Sequence, residues 1–276
     1  MKQYVPVLTI AGSDSSGGAG IQADIKTISA IGCYAMSAIT AITAQNTTGV
    51  RSIQGINPQI LKDQIDMCCE DIAPMAAKTG MLFDKANIEA TATAIKRHNI
   101  PNLVVDPVMV ATSGSLLIER DAISSMIEQI FPLATLVTPN RNEAIELTGK
   151  TDPMQQAIIL REMGCRNILL KGGDSDRTDM KIDYLYLDGE TDLITLTADA
   201  VNTENSHGTG CTLSAAIASY LALDFDITDA CMRGKLFVTR ALQAGARVSI
   251  GKGHGPVNHL FGPRHMKFQR YHKLND

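Results

Sequence analysis

The sequence predicts an α/β fold: a mostly parallel central sheet with helices on both faces, an α/β/α sandwich, in a single domain. Three observations predict it. Short apolar, β-branched runs alternate with segments whose apolar residues recur at helical spacing, the pattern of repeated strand–helix units. Successive runs end in glycine-rich or charged clusters, as strands do at the ligand-binding edge of an open α/β sheet. No Pro-, Ser- or charge-rich linker divides the 276 residues. The expected organisation is one domain over 1–260 and a polar tail over 261–276.

Residues 5–11, VPVLTIA, read as the first strand, residues 12–18 as a loop, and Ile21, Ile25 and Ile28 as one face of the first helix. The segment Gly18-Ala19-Gly20-Ile21-Gln22-Ala23 satisfies the G-x-G-x-x-A pattern of a dinucleotide site. Two departures argue against that reading. The motif does not follow its strand directly, and no acid that could hold a ribose occurs between Asp24 and Asp63. Nor is this a P-loop, because Gly18 stands where a Lys is required. The loop is better suited to letting backbone groups approach a small polar ligand. Residues 34–43 form the second strand and lead into Gln45-Asn46-Thr47-Thr48-Gly49. Gln45 is thus a candidate specificity residue, though a solvated turn fits its position equally well.

Asn57-Pro58 opens a helix to Asp71, residues 76–82 form a strand, and Asp84 caps a helix to His98. Residues 103–105 are a buried strand delivering Asp106; a turn at Gly114 and a helix over 122–131 follow. The strand at 136–138 ends in Asn140 and Glu143 at a helix start, and Thr151-Asp152-Pro153 opens a further helix to Met163. Residues 167–170 then deliver Lys171. An acid, an amide, a second acid and a cation at three successive strand ends are what magnesium and a triphosphate require. Residues 184–187 and 193–196, with Asp188-Gly189 between them, read as a β-hairpin that forms an antiparallel edge or flap.

In residues 201–223 a polar turn of Asn202, Thr203, Asn205 and Ser206 runs into Leu213, Ala216, Ile217 and Tyr220 at helical spacing, so a helix begins near Gly208. At that start the amides of Gly208, Thr209, Gly210 and Cys211 would offer donors to a phosphate, and the helix dipole would favour a Cys211 thiolate beside it. An ordinary capped helix with a buried cysteine has the same local pattern. A last helix covers 230–248, and a glycine turn lies at 251–255.

Net charge of -4, dispersed apart from the basic stretch 264–273, gives no footprint for nucleic acid. The six cysteines form no C-x-x-C pair and have no zinc-type histidine spacing, which fits reduced thiols in a cytosol. The apolar run at 5–11 is too short for a signal peptide or a membrane span. A cytoplasmic protein without a membrane partner is expected.

The blocks TIAGSDSSGGAGIQADIKT (9–27), TAQNTTGV (43–50), KTGML (78–82), VVDPVMVATSG (104–114), TPNRNEA (138–144), LKGGD (170–174), HGTGCTLSAAIA (207–218) and GKGHGPVNH (251–259) cover most of the chain. Together they resemble the ribokinase-like small-molecule kinases, and within them the hydroxymethylpyrimidine/phosphomethylpyrimidine kinases of thiamine biosynthesis. The resemblance implies a homodimer with no separate lid domain. It also implies an ATP- and Mg2+-dependent kinase that phosphorylates 4-amino-5-hydroxymethyl-2-methylpyrimidine and then converts the monophosphate to the diphosphate.

Residue by residue, it places Gly12, Ala19, Gln45, Met81 and Val108 around the pyrimidine and Cys211 facing the hydroxymethyl, where the thiolate expected at the helix start would be the base for its proton. Gly208, Thr209, Gly210 and Cys211 would form the anion hole for the transferred phosphoryl. Asp106, Asn140, Lys171 and Thr209 would handle the nucleotide phosphates, while Asp106, Asn140 and Glu143 would serve the metal, Glu143 through ordered water. Two departures stand out: Thr112 occupies a position where the family often has Lys, and the tail after His259 is longer. A pyridoxal kinase on the same scaffold is the closest alternative. A nucleotide-binding module without catalysis is opposed by the intact Asp106, Asn140, Glu143, Lys171 and Cys211, and a dehydrogenase by the missing ribose acid.

Overall fold

Strand and helix alternate as expected in the computed structural model, which describes residues 2–109, 120–172 and 179–270. A short exposed strand, β1 (Lys2–Tyr4), precedes the buried β2 (Pro6–Asp14) and helix α1 (Gly20–Ile31). Strands β3 (Tyr34–Asn46) and β4 (Gly49–Gly55) form an antiparallel hairpin. Helix α2 (Pro58–Asp71) starts with Asn57 accepting the Gln59 N–H at 2.9 Å. After β5 (Ala76–Thr79), α3 (Lys85–His98) starts with Asp84 accepting the Asn87 N–H at 2.8 Å. Short polar side chains just before an apolar-periodic run satisfy amides that have no intrahelical partner, which is why these starts fall where the sequence puts them.

Strand β6 (Leu103–Val105) and helix α4 (Arg120–Gln129) follow, then β7 (Leu136–Val137), α5 (Arg141–Thr148), α6 (Pro153–Glu162) and β8 (Ile168–Leu170). Strands β9 (Met180–Tyr186) and β10 (Ile194–Asp199), helices α7 (Thr209–Ala222) and α8 (Ile227–Gly245), and strand β11 (Phe268–Arg270) complete the described chain.

One sheet of nine strands has the order β10-β9-β8-β7-β6-β5-β2-β3-β4. From β8 to β3 every neighbouring pair is parallel, with β4 antiparallel at one edge and β9 and β10 antiparallel at the other. Alternation along the strands divides the core in two. Leu8, Ile10, Leu103, Val105, Val137, Ile168 and Leu170 face one layer, with Ile65 of α2 and Ile88 of α3. Val7, Val104, Leu136 and Leu169 face the other, with α1, α7 and α8. Helix α7 is buried from Thr212 to Ala222, which explains its small and apolar composition.

Several boundaries differ from the expectation. Strand β2 does not stop at Ala11: a register shift between Ala11 and Ser13 carries it on to Asp14, where it pairs with Thr43. The loop is therefore shorter, and Gly12 belongs to the strand. Strand β3 likewise runs past Thr43 to Asn46 because β4 pairs with its end, so Gln45 lies in a strand and not in a turn. The strand at 76–82 ends at Thr79. β9 and β10 do pair at the sheet edge, but residues 187–193 join them, not a two-residue Asp-Gly turn. Gly114 and Thr112 lie outside the described residues.

The tail is tied to the body as far as Arg270. β11 pairs with β1, Tyr4 packs between Tyr34 and Phe268 with ring centroids 5.6 and 5.2 Å away, and the N–H groups of Arg264 and Lys267 donate to Ala30 and Gly32. No helix among the described residues is long and apolar enough to cross a membrane.

Candidate active site

The ends of β2, β3, β6 and β8 and the start of α7 carry the candidate residues. Asp14 closes β2 and gathers the loop behind it. Its carboxylate accepts the N–H and hydroxyl of Ser16, each at 2.8 Å, the N–H of Gly18 at 3.1 Å and that of Ala19 at 2.8 Å. His207 Nε2 lies 2.8 Å from the same carboxylate. Burial alone would raise Asp14, but the donors from His207, Ser16 and Ala19 outweigh it and hold the carboxyl at about 2. Ser15 fixes the neighbouring strand: its hydroxyl donates to Gln45 O at 2.8 Å and accepts from Gln45 N at 2.9 Å.

Helix α7 begins on Gly208, whose φ of 82° is left-handed and whose Cα lies against Gly18 O, where any Cβ would collide. No side chain caps this helix. Thr209 N–H reaches Ser206 O at 3.3 Å, so the anion-binding expectation rests on Gly208, Gly210 and Cys211 more than on Thr209. Gly210 faces the ionic row: a Cβ there would lie 3.5 Å from Lys171 Nζ and 3.6 Å from Asp106 Oδ2.

Asp106 and Lys171 pair at 2.7 Å, and the Ser214 and Thr138 hydroxyls lie 3.2 and 3.4 Å from the carboxylate, each also within reach of a backbone carbonyl, Gly210 O at 3.0 Å and Val105 O at 3.4 Å. Burial opposes ionisation of Asp106, yet Lys171 and Lys78 hold it below the ordinary carboxylate range. Asn140 and Glu143 form a capping box: Asn140 Oδ1 accepts Glu143 N–H at 2.9 Å and Glu143 Oε2 accepts Asn140 N–H at 2.7 Å. A parallel bridge joins Asn140 to Lys171. Burial pushes the Glu143 carboxyl up to about 7, with Asp106 adding to the effect and Lys171 opposing it.

A fully buried pair lies beneath this row. Lys78 Nζ is 2.9 Å from Asp24 Oδ2, which also accepts the Thr9 hydroxyl at 2.6 Å. Burial alone would lower Lys78, but Asp24 and Asp106 raise it further, so it remains an ammonium. Cys211 lies beside this pair, and the expectation of a thiolate is corrected there. Burial pushes its thiol up to about 11, against Lys78 and the Gly20 N–H, which favour the charged form.

Gly12 packs against Met81, where a Cβ would meet the Met81 methyl, and Thr40 holds the Met81 carbonyl at 2.6 Å. Ala19 is the residue before α1, and half-buried Val108 follows Asp106 with its N–H on the Asp106 carbonyl at 2.8 Å. Gln45 lines two cavities of about 390 Å³ each, one reaching Arg51 and the other His207 and His254. The site thus unites Asp106, Asn140, Glu143, Lys171 and Gly210 on one side and Gly12 with Met81 on another. Asp14, His207, Lys78 and Asp24 were not singled out by sequence. The visible signals were Asp14 closing the glycine-rich strand end and His207 directly before Gly208.

Such a fold and site define a ribokinase-like small-molecule kinase. The family model for phosphomethylpyrimidine kinase matches residues 14–258. The chain belongs to that family. It is 44% identical over 262 residues to the hydroxymethylpyrimidine/phosphomethylpyrimidine kinase of Rhizobium meliloti, covering 92% of this chain and 96% of that one. To the thiamine biosynthesis bifunctional protein ThiED of Geobacter sulfurreducens it is 46% identical over 259 residues, covering 92% of this chain but 52% of the relative, so it spans about half of that protein's length. Among solved structures it resembles an ADP complex of Bacillus subtilis pyridoxal kinase, with a TM-score of 0.84, 34% identity, and coverage of 93% of this chain and 98% of that one.

Proposed function

We propose that the chain transfers the terminal phosphoryl group of ATP to the hydroxymethyl oxygen of 4-amino-5-hydroxymethyl-2-methylpyrimidine, and then a second phosphoryl to the monophosphate. The observation that carries this reading is the meeting of Gly210 with the Lys171–Asp106 pair at the uncapped start of α7. Amide donors and a cation there face the place where charge develops on the transferred group. Lys171 neutralises phosphate charge, Asp106 holds Lys171 in place, and the amides of Gly208, Gly210 and Cys211 cradle the moving phosphoryl. Gly12, Ala19, Met81 and Val108 enclose the ring.

The oxygen donors of Asp106, Asn140 and Glu143 suit a hard divalent cation, and the buried Glu143 carboxyl would give up its proton to one. Magnesium bound there would neutralise phosphate charge. Cys211 serves as base only after losing its own proton, so the resting thiol makes deprotonation part of the pH profile.

Gln45 reads the ring, since a carboxamide matches an exocyclic amine beside a ring nitrogen. Gln45→Leu should lower kcat/KM for the aminopyrimidine by about 5- to 150-fold and for pyridoxal by less. Equal losses would leave Gln45 shaping the pocket without reading the ring. We infer a homodimer as well, supported by exposed Ile42 on β3 and Ile60 and Met67 on the adjoining α2. The cysteines of the described residues are all free, in keeping with a cytoplasmic enzyme.

A further inference from the structure

The Gln45 carboxamide touches two groups, and its orientation follows from what they can donate. Thr43 Oγ1 lies 3.1 Å from one amide atom and 2.9 Å from Ser13 O. His207 Nε2 lies 3.4 Å from the other amide atom and 2.8 Å from Asp14 Oδ2. A threonine hydroxyl has one proton, and the nearer Ser13 carbonyl takes it, so Thr43 Oγ1 is left as an acceptor for Gln45. The Asp14 carboxylate can only accept, so His207 Nε2 carries a proton, whether the imidazole is neutral or charged. That nitrogen therefore has no lone pair for an amide NH2.

Oxygen and nitrogen of a carboxamide share one outline, and the hydrogen-bond network decides which is which. With Gln45 Nε2 toward Thr43 and Oε1 toward His207, both contacts become hydrogen bonds, and the His207 N–H is shared between Asp14 and Gln45. The opposite orientation sets two N–H groups against each other at His207.

We propose that Asp14 and His207 are positioning residues that lock the Gln45 amide with its oxygen toward His207, and so select the pose in which the pyrimidine binds. This inference rests on the aminopyrimidine reading above and deepens it. In the locked state the 4-amino group donates to Gln45 Oε1 on the His207 side, and ring N3 accepts from Nε2 on the Thr43 side. The hydroxymethyl is on C5, next to the carbon bearing the amine, so this pose turns it to the side of His207. The next residue in the chain is Gly208, the N-cap of α7. A reversed amide would turn the hydroxymethyl away from that helix start.

The test uses the intact protein with two acceptors: the natural aminopyrimidine and its analogue with oxygen in place of the 4-amino group. The analogue presents a carbonyl and a ring N–H, the reverse of the natural pattern, and needs the reversed amide. Wild type should favour the amine by at least about 100-fold in kcat/KM, and His207→Leu should reduce that preference below about 10-fold, leaving KM for ATP unchanged. His207→Gln, which restores a donor, should recover the preference.

An undiminished preference in a folded His207→Leu overturns the proposal and leaves the kinase reading intact. Absence of turnover on the aminopyrimidine by wild type overturns the kinase reading instead. Should His207→Leu not fold, nuclear Overhauser contacts in the wild-type protein decide. Gln45 amide protons close to the Thr43 methyl support the lock, and contacts to the His207 ring alone overturn it.

Discussion

Lys171 Nζ lies 2.7 Å from Asp106 Oδ1, although the two residues follow different strands, β8 and β6, with β7 between them. The pair bridges the sheet edge beneath the start of α7. Lys171→Met leaves the 2%-exposed Asp106 without its partner and should cost about 3–5 kcal/mol of stability. Lys171→Met combined with Asp106→Asn should recover part of that stability and none of the turnover. Thermal unfolding and steady-state rates on the three variants check both statements.

Gly210→Ala should separate folding from the proposed phosphoryl binding. A Cβ there makes only ordinary contacts, at 3.5 Å from Lys171 Nζ and 3.6 Å from Asp106 Oδ2, so Gly210→Ala should fold normally. On the proposed reading it would intrude on the transferred group, and kcat should fall by about 10²- to 10³-fold. A variant as active as wild type would place the phosphoryl elsewhere.

Glu143 sets a pH dependence of stability in the metal-free protein. Its folded carboxyl titrates near 7 against 4.5 ordinarily. Between these values the unfolded chain has released a proton that the folded chain keeps, so stability is full below 4.5 and declines as pH rises to 7. The loss amounts to at most about 3 kcal/mol. Melting curves from pH 4.5 to 7.5 should show the decline in wild type and a flatter profile in Glu143→Gln, which should also need more magnesium for turnover. Identical profiles and an unchanged magnesium requirement would remove Glu143 from the metal site.

Cys211→Ala should lower kcat by about 10²- to 10⁴-fold, the range of a lost base in a reaction governed by positioning. Since the thiol is pushed up to about 11, the wild-type rate should climb with pH through the alkaline range, and the alanine variant should lose that limb. A rising limb that survives in Cys211→Ala assigns the proton to another group.

Features set by neighbouring residues could be read from the sequence. Asn57, Asp84, Asn140 and Asp152 cap their helices as their positions before Pro or apolar runs imply, and the strands delivering Asp106 and Lys171 stand where short apolar runs predict them. What escaped depends on residues far apart in the chain. His207 meets Asp14 across 193 residues and Lys78 meets Asp24 across 54, and no local pattern specifies either pair. Lysine is read as a surface residue by default, yet Lys78 is wholly buried because Asp24 was buried with it. The overrun of β2 and β3 has a similar cause: strands extend as far as a partner continues, β2 against β3 and β3 against β4, whose residues 50–55 carry no strand signal of their own in the sequence reading.

Preference for the pyrimidine is tested most directly by giving the purified protein, with ATP and magnesium, an equimolar mixture of 4-amino-5-hydroxymethyl-2-methylpyrimidine and pyridoxal, and following the products by mass spectrometry. Pyrimidine monophosphate should appear first and then the diphosphate, with pyridoxal phosphate forming far more slowly. Pyridoxal phosphate as the dominant product would contradict it.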